Sequence, residues 1–186
     1  MDGKYILKSC VALLDRSAYH GNKHYLTNIW CRATTPKIQM FIWLAVQNCL
    51  CTKFFLLQRC LLSYEAVLCP FCDTKLESTD HLLLQCPSIW KLWWRYLSWW
   101  GAVWCIPKII DNLLYEWQAL ATGKMQTTFW KALSFGVACG VWLPRNQVNF
   151  NVNTVDWDAV FGLILHCLSC WIKVNKSDLK WPHLKC

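Results

Sequence analysis

Apolar residues recur along much of this chain at spacings of three and four, the period of a helix packed on one side. Thr35 followed by Pro36 marks a helix start, because proline at the first helical position gives up only an amide that has no helical acceptor. From there Ile38, Phe41, Ile42, Ala45 and Val46 fall on one face and are expected to turn inward. Thr52 predicts the cap of a second helix with Phe55, Leu56 and Cys60, and Ser88 after Pro87 begins a third with Ile89, Leu92, Trp93, Tyr96 and Leu97. Further helices are predicted over 109–120, 127–143 and 155–174. The last is expected to start from an Asn153 or Thr154 cap, with Asp156 and Asp158 in its first turn at the positive end of the helix dipole. Pro144 predicts a kink or an end near Leu143. Nearer the start, residues 5–7 read as a short strand, Ser9 caps a helix to Asp15, and 17–28 form a polar loop. No alternating run competes with these patterns, so the predicted fold class is mainly α, an irregular helical domain.

Composition changes the picture in three ways. With 186 residues, 55% of them hydrophobic and 16% charged, the chain has material for a core and too little charge for a disordered polymer. The 13 cysteines are odd in number and scattered through apolar segments, unlike a secreted disulfide framework, so reduced thiols are expected. The opening lacks a basic region followed by an apolar run, and the apolar stretches 132–143 and 159–172 fall short of the roughly 20 residues that cross a bilayer. The expectation is a soluble intracellular protein of nucleus or cytoplasm, with no membrane partner and no small-molecule substrate. Between Arg16 and Leu62, finally, Arg16, Lys23, Arg32, Lys37, Lys53 and Arg59 occur without a single Asp or Glu. Such a one-sign region suits phosphates if the fold gathers it on one side, and a solvated helix surface if it does not.

One constellation carries chemistry. Cys69, Cys72, His81 and Cys86 are spaced C-x2-C-x8-H-x4-C, with a polar loop between the pairs and the second pair on a helix begun near Ser78 or Thr79. Three soft thiolates and one imidazole make a closed tetrahedral shell for Zn2+. A closed shell has no vacant position for water, so the predicted zinc is structural and the finger is of the CCHC type. A second C-x2-C, Cys167 and Cys170 beside His166, lies in an apolar helical run and reads as core, and His20 and His24 read as a solvated pair.

These residues together resemble a known family. Trp30, Pro36, Lys37, Phe41, Trp43, Leu44 and Ala45, then Cys69, Cys72, Glu77, His81, Leu82 and Cys86, then Trp90 or Trp93, follow W-x5-P-K-x3-F-x-W-L-A, a C-x2-C...E...H-L-x3-C finger and a Trp-rich helix. That order resembles the zinc-binding domain that follows reverse transcriptase in plant LINE-type (non-LTR) retrotransposons. The opening G-K-Y-I-L-K-S looks like the lead-in of that domain, and Trp142, Arg145, Asn146 and Phe150 look like its W-x2-R-N-x3-F tail. The resemblance implies a domain that assists handling of template RNA or target DNA. It does not bring a polymerase: that chemistry needs paired carboxylates holding metal ions, and the 11 acidic residues include no adjacent Asp pair. No enzyme is expected.

The segment W-K-L-W-W-R-Y-L-S-W-W, from Trp90 to Trp100, interleaves aromatics with Lys91 and Arg95, a mixture on which single strands stack. Trp90, Trp93, Trp94 and Trp100 at helical spacings fit a wide buried face as well. Lys75, Lys91 and Arg95 are the candidates for phosphate contact. Residues 1–105 are expected to form the zinc-binding domain, finger at 68–87, and 106–186 a helical extension packed on it. The expected function is a zinc-binding, non-catalytic fragment of a retrotransposon protein that supports RNA or DNA binding. Two alternatives stand beside it. One is a protein interaction module using the Trp-rich face. The other is a decayed element product without activity, in keeping with 14 Trp and 13 Cys against the five arginines Arg16, Arg32, Arg59, Arg95 and Arg145.

Overall fold

In a computed structural model, the structure describes residues 29–30, 34–103, 105–119, 124–151 and 154–175. The strand over 5–7, the helix from Ser9, the His20 and His24 pair, and Arg16, Lys23 and Arg32 lie outside the described residues. Helix α1 (Pro36–Val46) starts at its proline as predicted and buries Ile42, Ala45 and Val46, with Ile38 and Phe41 packed at the edge of the core. The same face also buries Gln39, whose side-chain amide donates to the Thr34 carbonyl oxygen at 2.8 Å. Thr52 caps α2 (Lys53–Gln58), its hydroxyl accepting from the Phe55 amide at 3.2 Å. Residues 53–57 of this helix are half-buried and none is fully buried, and Cys60, expected within the helix, stands exposed beyond its end in a left-handed turn (φ 56°). Six residues are too few to present a full apolar stripe.

A 3-10 turn (Tyr64–Ala66) leads into the Cys/His loop, and a π-turn (His81–Gln85) leads out of it. Helix α3 (Pro87–Trp100) begins one residue ahead of the expected Ser88 and buries Ile89, Leu92, Trp93, Tyr96 and Leu97, the face predicted for it. Gly101 closes it in the left-handed conformation (φ 68°) that a side chain would strain. Of the four tryptophans offered to a buried face, Trp93 is fully buried and Trp100 packs flat on the Phe129 ring at 4.3 Å, whereas Trp90 and Trp94 remain about half exposed.

Helix α4 (Ile110–Ala119) is followed by α5 (Lys124–Asn151), the axis of the fold. From Phe129 to Val141 nearly every side chain of α5 is buried, which is how a helix looks when others cover it all round. It packs against α1, α4, the π-turn and α6 (Trp157–Asn175). The helix does not end at Leu143, one of the two outcomes expected from Pro144; α5 continues to Asn151. An interior proline costs about 3 kcal/mol. Packing on several sides, with four hydrogen bonds made by the next residue, Arg145, offsets it. The cap of α6 is neither Asn153 nor Thr154 but Asp156, whose carboxylate accepts from the amides of Asp158 and Ala159 at 2.9 and 3.0 Å. Cys167 and Cys170 were expected in the core, yet Cys167 is only half-buried and Cys170 is exposed.

One hydrophobic cluster runs from Ile29 to Leu168 and takes in the finger residues Cys69, Leu82, Leu83, Leu84 and Cys86. The fold is mainly helical, as predicted, and among the described residues the only β pairing is an isolated bridge between Leu68 and Leu76. No helix among them is long and apolar enough to cross a membrane. Close approach of α5 and α6 depends on Gly140, where an added Cβ would collide with the Ile164 side chain, while Gly162 faces open space. Gly140→Ala is expected to destabilise by about 1–3 kcal/mol. Gly162→Ala, within a helix, should stabilise by about 0.5–1 kcal/mol. Urea unfolding of the two variants checks both signs.

Candidate metal centre

The four candidate ligands are brought together by two short pieces of backbone. Val67 and Leu68 run antiparallel to Leu76 and Glu77, closed by the Leu68–Leu76 bridge and by the Glu77 amide donating to the Val67 carbonyl oxygen at 2.9 Å. Inside that clamp the Cys69 amide donates to the Lys75 carbonyl oxygen at 2.8 Å and the Asp73 amide to the Cys69 carbonyl oxygen at 2.9 Å. Asp73 takes the left-handed turn conformation (φ 53°), which aspartate tolerates. The result is a tight knuckle that faces the Cys69 and Cys72 sulfurs the same way.

The second pair comes from the π-turn. Ser78 caps its start, the hydroxyl accepting from the His81 amide at 3.1 Å. Five residues of α-helix turn the chain by about 500°, which leaves the first and last side chains about 140° apart. Here the Cys86 amide instead donates to the His81 carbonyl oxygen at 2.8 Å, a wider turn that closes this angle. Pro87 then forces Cys86 into extended backbone (φ −63°, ψ 132°), as proline does to the residue before it. A regular helix was expected over this stretch, and the wide turn was not legible from the residues alone.

Cys69, Cys72, His81 and Cys86 place their donor atoms all within 4.8 Å of one another. Cys69 Sγ lies 3.9 Å from Cys86 Sγ, and Cys72 Sγ 3.3 Å from His81 Nε2. The edges of a tetrahedral zinc shell are about 3.8 Å between sulfurs and about 3.6 Å from sulfur to nitrogen, given bonds of about 2.3 and 2.0–2.1 Å. The donor set therefore fits zinc in both chemistry and size. Cys69, His81 and Cys86 are buried and Cys72 half-buried. A contact with Cys69 holds the Cys86 thiol down at about 4, with His81 acting in the same direction against burial. The same contact with Cys86, reinforced by burial, raises Cys69. Burial would push Cys72 up, but the Thr74 hydroxyl, at 3.3 Å, and nearby amides outweigh it and lower the thiol. The contact with Cys86 raises His81 despite its burial. Both Cys86 and Cys72 are thus shifted toward the thiolate form that binds a cation.

Behind the cluster lies a contact that joins two residues singled out only as parts of separate motifs. Glu77 is wholly buried, and its Oε1 accepts from Arg145 Nη2 at 2.6 Å, Arg145 Nε at 3.0 Å and the Lys53 amide at 3.1 Å. Arg145 also donates to the Cys51 carbonyl oxygen at 3.0 Å and to Asn146 Oδ1 at 2.9 Å, with its guanidinium 4.7 Å over the Trp142 ring. Asp80, next to His81, caps α4 by accepting from the Ile110 amide at 2.8 Å. Its carboxyl is pushed up by burial, and the charge of Asp111 adds to the shift. Glu77, an acid inside the Cys/His loop, was the one feature of the sequence that hinted at such a partner.

Residues 5–93 match the family described as zinc-binding in reverse transcriptase. The match covers just under half of the chain, includes all four Cys/His positions and is to a zinc-binding domain, not to a polymerase. No curated protein and no solved structure matches the chain. Arg145 and α5, which close over the finger loop, lie beyond the matched residues.

The phosphate candidates fare unequally. Lys75 and Lys91 are exposed. Arg95 is exposed too but is paired with Asp158 and lies 4.0 Å over the Phe161 ring. In the one-sign region, Lys53 donates to the Leu68 carbonyl oxygen and Arg59 covers the Phe55 ring at 4.6 Å, so two of its described cations serve local contacts.

Breaking one side of a buried ion pair leaves an uncompensated charge, at a cost of about 3–5 kcal/mol. Arg145→Met is expected to lose that much stability, and adding Glu77→Gln to it to recover part of the loss. Denaturant unfolding of the two single variants and the double variant measures the coupling. Additive losses would mean that the pair does not act as one.

Proposed function

We propose that Cys69, Cys72, His81 and Cys86 are the four ligands of one structural Zn2+ ion, and that the chain is a non-catalytic, nucleic-acid-binding fragment of a LINE-type retroelement protein. The observation that carries this reading is the meeting of three soft sulfur donors and one imidazole nitrogen within 4.8 Å of one another inside the matched zinc-binding segment. A bound ion would cross-link the knuckle to the π-turn; with all four positions taken by protein atoms it has none to offer a reacting water. The buried Nδ1 of His81, with no hydrogen-bond partner among the described residues, leaves Nε2 as the donor aimed at the cluster.

In this reading 1–105 is the zinc-binding domain and 106–186 a helical extension that completes its fold. An excess of cations, formal net charge +8, supports binding to RNA or DNA, and Lys75, Lys91 and Arg95 are the proposed phosphate contacts. Arg95 contributes least, because Asp158 already neutralises it.

Purified protein is expected to carry one equivalent of zinc by elemental analysis. Stripping the metal with a chelator should cost folding cooperativity, since the binding energy of a structural site is largely folding energy. Cys72→Ser should lose the metal, whereas Cys170→Ser, at an exposed cysteine outside the cluster, should keep it. A wild-type chain that folds cooperatively without metal at every zinc concentration would overturn the reading.

A further inference from the structure

The outer side of α3 is unusual for a helix surface. Its exposed positions include Trp90, Lys91, Trp94, Arg95 and Trp99. Trp90 and Trp94, one turn apart, are each 49% exposed and lie nearly parallel, with ring centroids 5.8 Å apart and planes 10° from one another. The core does not need them, because α3 already seats Ile89, Leu92, Trp93, Tyr96 and Leu97 on its inner side. A large ring left half in water forgoes much of its burial energy, so two held in a parallel stack form a surface with a definite shape.

The charge around the stack indicates what would cover it. Helix α3 carries Lys91 and Arg95 and no Asp or Glu. The acid brought to it from α6, Asp158, is engaged by Arg95, and the same arginine is held flat on Phe161. Lys91, between the two rings in sequence, has no ion pair among the described residues. Flat aromatic faces beside an unpaired cation match the two halves of a nucleotide: the base stacks and the phosphate meets the ammonium. Stacking of this kind needs bases that are free of a duplex.

We propose that Trp90 and Trp94 form a stacking platform for unpaired bases of single-stranded nucleic acid, with Lys91 holding an adjacent phosphate. This rests on the nucleic-acid reading above and adds to it the strand state of the ligand and the residues that recognise it. The platform belongs to the helix that follows directly on Cys86, so the finger would set its position.

The test uses the full-length, zinc-loaded chain and fluorescently labelled oligo(dT), oligo(U) and a mixed-sequence duplex, titrated at several salt concentrations. Single strands of either sugar are expected to bind more tightly than the duplex. Trp90→Ala and Trp94→Ala should each weaken single-strand binding by roughly 5- to 100-fold, the range of one lost base stack, while Trp→Phe at either position retains most of it. Lys91→Gln should weaken binding to all strands alike and reduce the slope of log affinity against log salt by about one. If the alanine variants bind as the wild type does, the platform is wrong and the nucleic-acid reading stands. If the wild type binds no nucleic acid even at low salt, both fall. If Trp90→Ala and Trp94→Ala abolish self-association and leave strand binding unchanged, the rings are a protein-contact surface and the proposal is overturned.

Discussion

Three thiols and an imidazole gathered at one point of a loop are held there at a cost. Buried thiolates repel one another and buried neutral thiols gain little from clustering, so three of them this close around an imidazole call for a cation. Each backbone feature of residues 68–87 serves that convergence: the antiparallel clamp at Leu68 and Leu76, the left-handed turn at Asp73, the wide π-turn, and the extended Cys86 ahead of Pro87. The left-handed Asp73 and the extended Cys86 are accepted locally, whereas the clamp and the wide π-turn are not low-energy choices for an isolated peptide of this length. In the proposed reading a four-fold bond to one ion would supply the missing free energy, which in structural zinc sites is of the same order as the stability of a whole small domain.

The loop does not stand by itself. Leu82, Leu83 and Leu84 on the π-turn are fully buried and belong to the same hydrophobic cluster as α3, α5 and α6. Asp80 caps α4, and Glu77 takes the guanidinium of Arg145. A carboxylate and a guanidinium removed from water are poor contributors to net stability, but they are intolerant of separation. They therefore fix the register of α5 against the finger more sharply than apolar packing would. Through α5 and α6, segments beyond the matched residues 5–93 become part of the finger's support.

How much of this could be read from the residues divides along range. The inner faces of α1 and α3 follow from local periodicity, and the Cys/His spacing was legible because metal chemistry dictates ligand type and loop length together. The starts of α1 and α2 were signalled by Pro36 and Thr52. Contacts made at a distance were not legible. Glu77 and Arg145 are 68 positions apart, Asp80 and Ile110 are 30, and only the fold brings them together. The continuation of α5 through Pro144 shows packing outweighing a local penalty, and α2, with no residue fully buried, shows a helix too short for its apolar residues to reach the core. The cap of α6 moved to Asp156 because a carboxylate two residues ahead of the first free amides reaches them.

X-ray absorption at the zinc edge of the loaded protein tests the shared centre most directly. A first shell of three sulfurs at about 2.3 Å and one nitrogen at about 2.0–2.1 Å is the predicted result. A shell dominated by oxygen or by several imidazole nitrogens, or one that is unchanged in Cys69→Ser and Cys86→Ser, would contradict it.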